Sequence, residues 1–173
     1  MNPLGPLNGK SFGTSMSPWV ITLEALEQFK ISMPSLSKSR PEYLMDPESK
    51  PTYDISLNVS LLPKNCAKAT TICESQFSSL YWTLRDLVAQ STVNGCNLRV
   101  GDLLATGTIS GKGKESHGCL LEAIVHGGVE IENGDKQVEK RMWLEDGDVL
   151  TMSALAGPGV GFGDCTGMVL PAT

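Results

Sequence analysis

A carboxylate within an apolar segment is the first candidate for chemistry in this sequence. Glu122 lies in Cys119–Val125, where every other residue is apolar, and we predict that the segment is a strand. A carboxylate in a buried strand must be paired, protonated or part of a site, because burial removes the water that stabilises its charge. An edge or solvent-facing position is the alternative, and the alternation of a strand allows it equally.

Two glycine-containing segments could bring backbone and hydroxyl groups to a ligand. Gly107 precedes Thr108 in the segment 101–111, and a glycine lets the backbone approach a ligand while a hydroxyl and an amide face it. A bulged strand with a tight turn is the alternative. Lys10 begins Lys-Ser-Phe-Gly-Thr-Ser, which places an ammonium and several hydroxyls around Gly13. This segment lacks the GxxxxGK[ST] order, so it does not predict a phosphate-binding P-loop.

The histidines and cysteines show no metal-binding or nucleophilic pattern. His117 and His126 have no ligand spacing to each other or to a cysteine, and no Ser or Cys partner in the sequence, so we expect surface or turn residues. The five cysteines are odd in number and form no CxxC pair. This pattern favours reduced thiols in a cytosolic protein.

The elements that must position these residues are mostly short strands. Residues 53–62 alternate between apolar and polar side chains, which predicts a strand with one buried face. Turn signals such as Asn133-Gly134 separate further candidate strands. These are residues 103–109, 119–126, 129–131, 137–144, 149–154 and 161–170.

One long helix and one short helical turn are predicted. Apolar residues recur at steps of three and four within 75–93, which indicates a helix that Asn94-Gly95 would end. Thr22 could cap a helical turn within 19–29. One main helix among about seven strands predicts an α+β fold, in which the helix covers one face of a strongly bent mixed sheet.

Length and composition limit the class of protein. The 173 residues suggest one domain, and 40% hydrophobic with 19% charged residues are typical of a soluble globular chain. A net charge of −5 argues against nucleic acid as a partner. No apolar run is long enough to span a membrane and Met1–Gly9 lacks a signal-peptide pattern, so we expect no membrane partner.

Several segments, matching in order along nearly the whole chain, resemble the fumarylacetoacetate hydrolase family. Gly101-Asp102 followed by Thr106-Gly107-Thr108 is similar to the signature of that superfamily. The other matching segments are residues 10–20, 71–73, 81–83, 93–99, 161–167 and 169–172. The resemblance implies a metal-dependent hydrolase with a β-roll catalytic domain. It would cleave a carbon-carbon bond in a β-diketone, giving fumarate and acetoacetate in the last step of tyrosine breakdown.

The resemblance also assigns roles to individual residues. It implies that Lys10 lies near a second cation and stabilises the carbanion-like leaving group, and that Gly13 and Thr14 line that cation. The divalent cation of the enzyme would be Mg²⁺ or Ca²⁺. The resemblance implies that Thr108 binds the small-molecule substrate and that Glu122 orients the histidine that activates the attacking water. These residue types suit the chemistry, since cleavage leaves an enolate that needs positive charge, and a carboxylate fixes the tautomer of a basic imidazole.

Other parts of the family's site have no counterpart in this chain. The acidic ligands of the principal metal, the catalytic histidine, and the arginine, glutamine and tyrosines that hold substrate lie upstream of the Lys-Ser-Phe-Gly motif in the family. We therefore expect residues 1–173 to be the C-terminal portion of a cytoplasmic, homodimeric enzyme and to be a poor catalyst alone. Two alternatives stay open: a related hydrolase acting on acylpyruvates or β-keto acids, and a non-enzymatic dimerisation or interaction module.

Overall fold

The computed structural model describes residues 13–33, 39–132 and 137–172. The strands are β1 (Lys30–Ile31), β2 (Thr52–Tyr53), β3 (Ile55–Leu62), β4 (Thr70–Gln76), β5 (Val129–Glu132), β6 (Val138–Arg141), β7 (Val149–Ala156), β8 (Val160–Gly161) and β9 (Cys165–Met168). The α-helices are α1 (Leu23–Leu26), α2 (Leu84–Thr92) and α3 (Leu120–Val125), and 3₁₀ turns occupy Glu27–Phe29, Glu42–Leu44 and Phe77–Ser79.

A five-stranded sheet forms the centre of the fold. β3 and β7 pair antiparallel over their whole lengths, from Ile55 opposite Ala156 to Leu62 opposite Val149. β4 pairs with the other edge of β3, while β8 and β9 both pair with β7. Two separate two-stranded sheets are formed by β1 with β2 and by β5 with β6.

The α+β class predicted from the sequence is confirmed, with one correction. Within the described part of the chain every strand pair is antiparallel, whereas we expected a mixed sheet. β3 with β4, β5 with β6 and β7 with β8 pair across short connections, which antiparallel pairing allows, whereas β3 and β7 pair although they are far apart in the sequence. A register shift between β3 and β4 at Val59 and Ser60 marks a bulge, a feature that bends a strand.

The core is divided between the two ends of the β3–β7 pair. One cluster is built around Ile55 and Ala156, with Leu26, Tyr53 and Phe77 packed on it. The other is built around Leu61 and contains Ile72 of β4 and Ile131 of β5. The strand predicted from the period-two pattern is therefore confirmed for β3, since Ile55 and Leu61 on its predicted buried face are both buried.

The main helix begins nine residues later than predicted. Residues 70–76 belong to β4. Phe77 then begins a 3₁₀ turn and packs into the first core cluster, before α2 starts. Thr83 and Asp86 then form a capping box, in which each side chain accepts a hydrogen bond from the other residue's backbone N–H. The predicted end is confirmed, because α2 stops at Thr92 and the Gly95 N–H donates to its carbonyl. Thr22 caps α1 as predicted, accepting from the Ala25 N–H.

Two predicted strands are wrong. Residues 120–125 form the helix α3, which ends where Gly127 and Gly128 adopt φ values of 95° and 85° that side chains rarely tolerate. Residues 103–109 form no strand, since they find no pairing partner in the described part of the chain. The other predicted strands are present with shifted ends. No described helix is long and apolar enough to cross a membrane.

Candidate functional site

A cleft of about 720 Å³ lies beside the second core cluster. Its walls come from β4, the loop 111–117, α3 and the β5–β6 hairpin. Charged side chains of both signs line it: Lys112, Lys114, Glu115, Glu122, Glu130 and Lys140. His117, His126 and Thr71 complete the polar lining.

Glu122 is held in this cleft by the preceding loop. The Ser110 hydroxyl donates to Oε2 of Glu122 at 2.5 Å, and the Gly118 N–H donates to Ser110 Oγ at 3.0 Å. Gly118 can lie this close to the Ile109 backbone only because it has no side chain. A Cβ at Gly118 would come within 2.8 Å of the Ile109 carbonyl oxygen. The loop between Ser110 and Gly118 therefore positions the carboxylate.

The environment of Glu122 keeps it ionised. The hydrogen bond from Ser110 is the largest cause that lowers the Glu122 pKa, and the charge of His117 and the Gly118 N–H act in the same direction. Partial burial opposes them, but the net pKa shift is downward. Glu122 therefore offers a carboxylate at neutral pH, and 38% of its side chain is exposed.

Two stacked imidazoles lie next to this carboxylate. His117 Nδ1 is 3.7 Å from Glu122 Oε1, slightly too far for a hydrogen bond. The rings of His117 and His126 are nearly parallel, with centroids 4.6 Å apart and an angle of 5° between their planes. A carboxylate and two imidazoles thus line one cleft, and the Ser110 hydroxyl holds the carboxylate.

The residues proposed from the sequence do not all lie together. Glu122 lines the cleft, although it lies on a helix and not on the predicted strand. Thr108 lies two residues before Ser110, is exposed and is not part of the cleft lining. Gly13 and Thr14 are also exposed and do not line the cleft. Lys10 lies outside the described residues.

The two histidines were not predicted to be neighbours of Glu122. We expected both on the surface or in turns. His126 is exposed, as expected, but only 15% of the His117 side chain is exposed. A signal was present: Glu122 and His126 are four residues apart, which places them on the same face of a helix. Predicting a strand at 119–126 concealed that relation.

Sequence comparison identifies the family. The family model described as the C-terminal part of fumarylacetoacetate (FAA) hydrolase matches residues 1–170. The chain belongs to the fumarylacetoacetate hydrolase family. The resemblance inferred from the motifs is therefore confirmed.

Several relatives of this chain are fumarylacetoacetases. The chain is 48% identical to a fumarylacetoacetase of Arabidopsis thaliana, over 98% of this chain and 40% of the relative. It is 46% identical to those of Oryza sativa subsp. japonica and Bos taurus, again over 98% of this chain and over 39% and 41% of the relatives. The chain thus spans about two fifths of the length of these relatives.

The fumarylacetoacetate hydrolase family implies a divalent cation, and the described residues alone do not fit one. Across residues 13–33, 39–132 and 137–172, no three His, Cys, Asp or Glu side chains are grouped so that they could hold a metal ion. Gly13 and Thr14 are the described members of the predicted second-cation site, and neither carries a carboxylate. No chemical step below is therefore derived through a cation.

Proposed function

We propose that this chain is the C-terminal part of a fumarylacetoacetase. That enzyme is a metal-dependent hydrolase that splits the carbon-carbon bond of 4-fumarylacetoacetate into fumarate and acetoacetate, in tyrosine and phenylalanine catabolism. The observation that carries the proposal is 46–48% identity to fumarylacetoacetases over 98% of this chain. The position of an ionised Glu122 in a polar cleft supports it.

The roles proposed for single residues follow the chemistry of that reaction. Glu122 fixes an imidazole so that one ring nitrogen can take a proton from water. The Lys10 ammonium balances the negative charge that develops on the leaving group. The Thr108 hydroxyl binds the substrate through a hydrogen bond. The loop 110–118 supports the first of these roles, because it already holds the Glu122 carboxylate in place.

The rest of the proposed site lies outside this chain. The cation, Mg²⁺ or Ca²⁺, takes its carboxylate ligands from a segment that the longer relatives have upstream, while Gly13 and Thr14 help to line a second cation. Residues 1–173 then form the C-terminal portion of one catalytic domain. We further propose a cytoplasmic homodimer whose partners are the small-molecule substrate and a second copy, and neither nucleic acid nor membrane.

A chimeric enzyme tests this proposal. The C-terminal two fifths of the Arabidopsis thaliana relative are replaced by residues 1–173, and hydrolysis of fumarylacetoacetate is measured in buffers containing Mg²⁺ or Ca²⁺. We expect turnover by the chimera and little by the isolated chain. If the isolated chain hydrolyses fumarylacetoacetate as fast as the chimera, the proposal that its site is incomplete is wrong. If the chimera hydrolyses only acylpyruvates, the proposed substrate is wrong.

The role of Glu122 is tested in the same chimera. We expect Glu122→Gln to lower kcat by about 10²–10⁴-fold, the usual loss when general acid-base catalysis is disabled. Glu130→Gln is the matched control, because Glu130 lines the same cleft from β5 without a contact to Ser110 or His117. Equal losses in both variants, or none in Glu122→Gln, contradict the assigned role.

A further inference from the structure

Residues 103–110 leave their backbone hydrogen-bonding groups without partners. Within the described part of the chain, none of their N–H groups donates a hydrogen bond. Among their carbonyls only that of Gly107 accepts one, from the hydroxyl of Thr106. The central strand β3 differs, since it pairs along both of its edges. Residues 103–110 therefore offer a row of free donors and acceptors, as the open edge of a sheet does.

The same segment exposes apolar side chains. Leu103 is 63% exposed, Leu104 is 39% exposed, and Val100 shortly before them is fully exposed. Single exposed apolar residues are normal, but neighbouring ones beside an unpaired backbone mark a surface that another chain segment can cover. The strand predicted at 103–109 therefore has the side chains of a strand and lacks only a neighbour.

The unpaired segment leads directly to the candidate site. Ser110 ends it and donates to Oε2 of Glu122 at 2.5 Å. Ile109 packs against the first core cluster, and successive side chains of a strand point to opposite faces. In a paired strand Thr108 and Ser110 therefore share the face that is turned toward Glu122.

Gly107 explains how the segment can change its conformation. It has a φ of 75°, which interrupts an extended backbone and is typical of bulges. Glycine also adopts the extended values of a strand, because it has no Cβ. The segment can therefore pair either with a bulge at Gly107 or in a fully extended form.

The length of the relatives indicates what covers this edge. The chain spans about two fifths of the fumarylacetoacetases it matches, and the matching family model describes their C-terminal part. The proposed site takes its remaining groups from the segment upstream of that part. A strand of the upstream segment that pairs along 103–109 runs past Ser110 and Glu122, so the pairing brings the two parts of the site together.

We propose that residues 103–109 become a strand by pairing with a strand of the upstream segment of the same enzyme, and that this pairing carries Thr108 to the substrate. Backbone hydrogen bonds supply most of the attraction, and Leu103 and Leu104 add apolar contact. The inference rests on the proposed function and deepens it, because it accounts for the exposure of Thr108 outside the cleft.

Amide hydrogen exchange measures the pairing directly. In the isolated 173-residue chain we expect the amides of 103–110 to exchange nearly as fast as those of an unstructured peptide, because they have no partner. In the chimeric enzyme we expect alternate amides of this segment to exchange at least about 100-fold more slowly. The amides of β3 are the internal control, since they are paired in both proteins.

Two results of the exchange measurement overturn the inference. In the first, 103–110 stays unprotected in a chimera whose β3 is protected. In the second, the segment becomes protected in the isolated chain as the protein concentration rises, which means that a second copy covers the edge. If rapid exchange of β3 shows that the chimera does not fold, the upstream part of the Arabidopsis thaliana relative is added to the isolated chain as a separate chain and the measurement is repeated.

Proline substitution tests the backbone separately from the side chains. Successive N–H groups of a strand point to opposite sides, so either Leu104 or Ala105 presents its N–H to the partner, and proline removes that donor. We expect Leu104→Pro or Ala105→Pro to lower kcat/KM of the chimera by at least about tenfold and to lower its Tm, because Thr108 is displaced. Neither should change the Tm of the isolated chain, where both N–H groups are unpaired.

Leu104→Ser and Ala105→Ser are the matched controls, because they keep the N–H group. We expect smaller losses of kcat/KM in these variants than in the proline variant at the paired position. Wild-type kcat/KM and Tm in both proline variants of the chimera contradict the pairing. Equal losses of Tm in the chimera and the isolated chain contradict it as well.

The outcomes separate the inference from the proposed function. If 103–110 is protected in a chimera that does not hydrolyse fumarylacetoacetate, the proposed function fails and the pairing stands. If the chimera hydrolyses fumarylacetoacetate while the segment stays unprotected, the proposed function stands and the pairing is wrong.

Discussion

Two carboxylates of this chain are held in opposite ways. Asp86 is 4% exposed and receives both Arg40 guanidinium nitrogens, Nη1 on Oδ1 at 2.9 Å and Nη2 on Oδ2 at 2.6 Å. The Thr83 N–H also donates to Oδ2. Glu122 has one strong donor, Ser110, and an oxygen that faces an unpaired imidazole nitrogen.

The difference shows that the Asp86 carboxylate has a structural role, whereas the Glu122 carboxylate remains available to contact another group. Asp86 joins the start of α2 to the segment around Arg40, whose guanidinium also donates to the Leu44 carbonyl and lies over the Trp82 ring. Its oxygens already accept three hydrogen bonds, and its burial leaves little access for a ligand. Glu122 is fixed on one oxygen and free to act on the other, which is the arrangement that a positioning carboxylate needs.

Removing the charge of each carboxylate should have very different effects on stability. We expect Asp86→Asn to lower the free energy of unfolding by about 3–5 kcal/mol, because it leaves Arg40 buried without its counter-charge and breaks the capping box. Glu122→Gln should cost less than about 1 kcal/mol, because its ion pair is long and partly exposed. Urea unfolding of the 173-residue chain measures both.

A second control tests whether burial causes the effect at Asp86. Arg85 is on the same helix and pairs with Asp46 at 3.1 Å, but its side chain is 57% exposed. Arg85→Gln should cost about 0–1 kcal/mol. If Asp86→Asn is no worse than Arg85→Gln or Glu122→Gln, the two carboxylates do not differ in the way described.

Much of the sheet could be predicted from local patterns. β3 alternates from Ile55 to Leu61 because one of its faces packs on the core, with Ile55 and Leu61 buried and Leu57 and Val59 partly buried, and the end of α2 is marked by an Asn-Gly pair. The start of α2 was missed because Phe77, Leu80 and Tyr81 repeat at helical spacing although they belong to a 3₁₀ turn and the loop after it. Thr83 and Asp86 carried the correct signal, a capping box three residues apart.

The candidate site was only partly predictable, because it depends on contacts between separate segments. Glu122 stood out as a charge among apolar residues. Its donor Ser110 lies 12 residues away, and the stacking of His117 on His126 exists only because 120–125 folds as a helix. A short apolar run gives no reliable sign of whether it will be a helix or a strand.

The close approach of Gly118 to residue 109 should make this loop the second most sensitive feature. A Cβ at Gly118 would lie within 2.8 Å of the Ile109 backbone, so we expect Gly118→Ala to lower the free energy of unfolding by about 1–3 kcal/mol. It should also displace Ser110 from Glu122. Gly159→Ala is the matched control, because nothing lies within 4 Å of the position that its methyl group would take. Equal losses in the two variants contradict the positioning role of the loop.

The smallest effect is expected from Ser110→Ala, which removes the main donor to Glu122. We expect the Glu122 pKa to rise, because this hydrogen bond is the largest cause of its lowered value. His117→Gln should raise it less. A ¹³C NMR titration of the carboxyl carbon measures both changes, with Ser116→Ala as the control, since Ser116 bonds only within its own loop.

The sign of the pH dependence follows from the direction of that shift. The folded-state pKa of Glu122 is lowered, so its ionised form adds stability above the pKa of the unfolded chain, and this is lost as pH falls through the folded-state pKa. The free energy of unfolding of the wild type should therefore exceed that of Ser110→Ala by the largest amount at neutral pH. This difference should be less than about 1 kcal/mol, because Glu122 is partly exposed. The difference should shrink on acidification. A difference that is constant with pH would mean that Ser110 supports the loop without acting on the Glu122 charge.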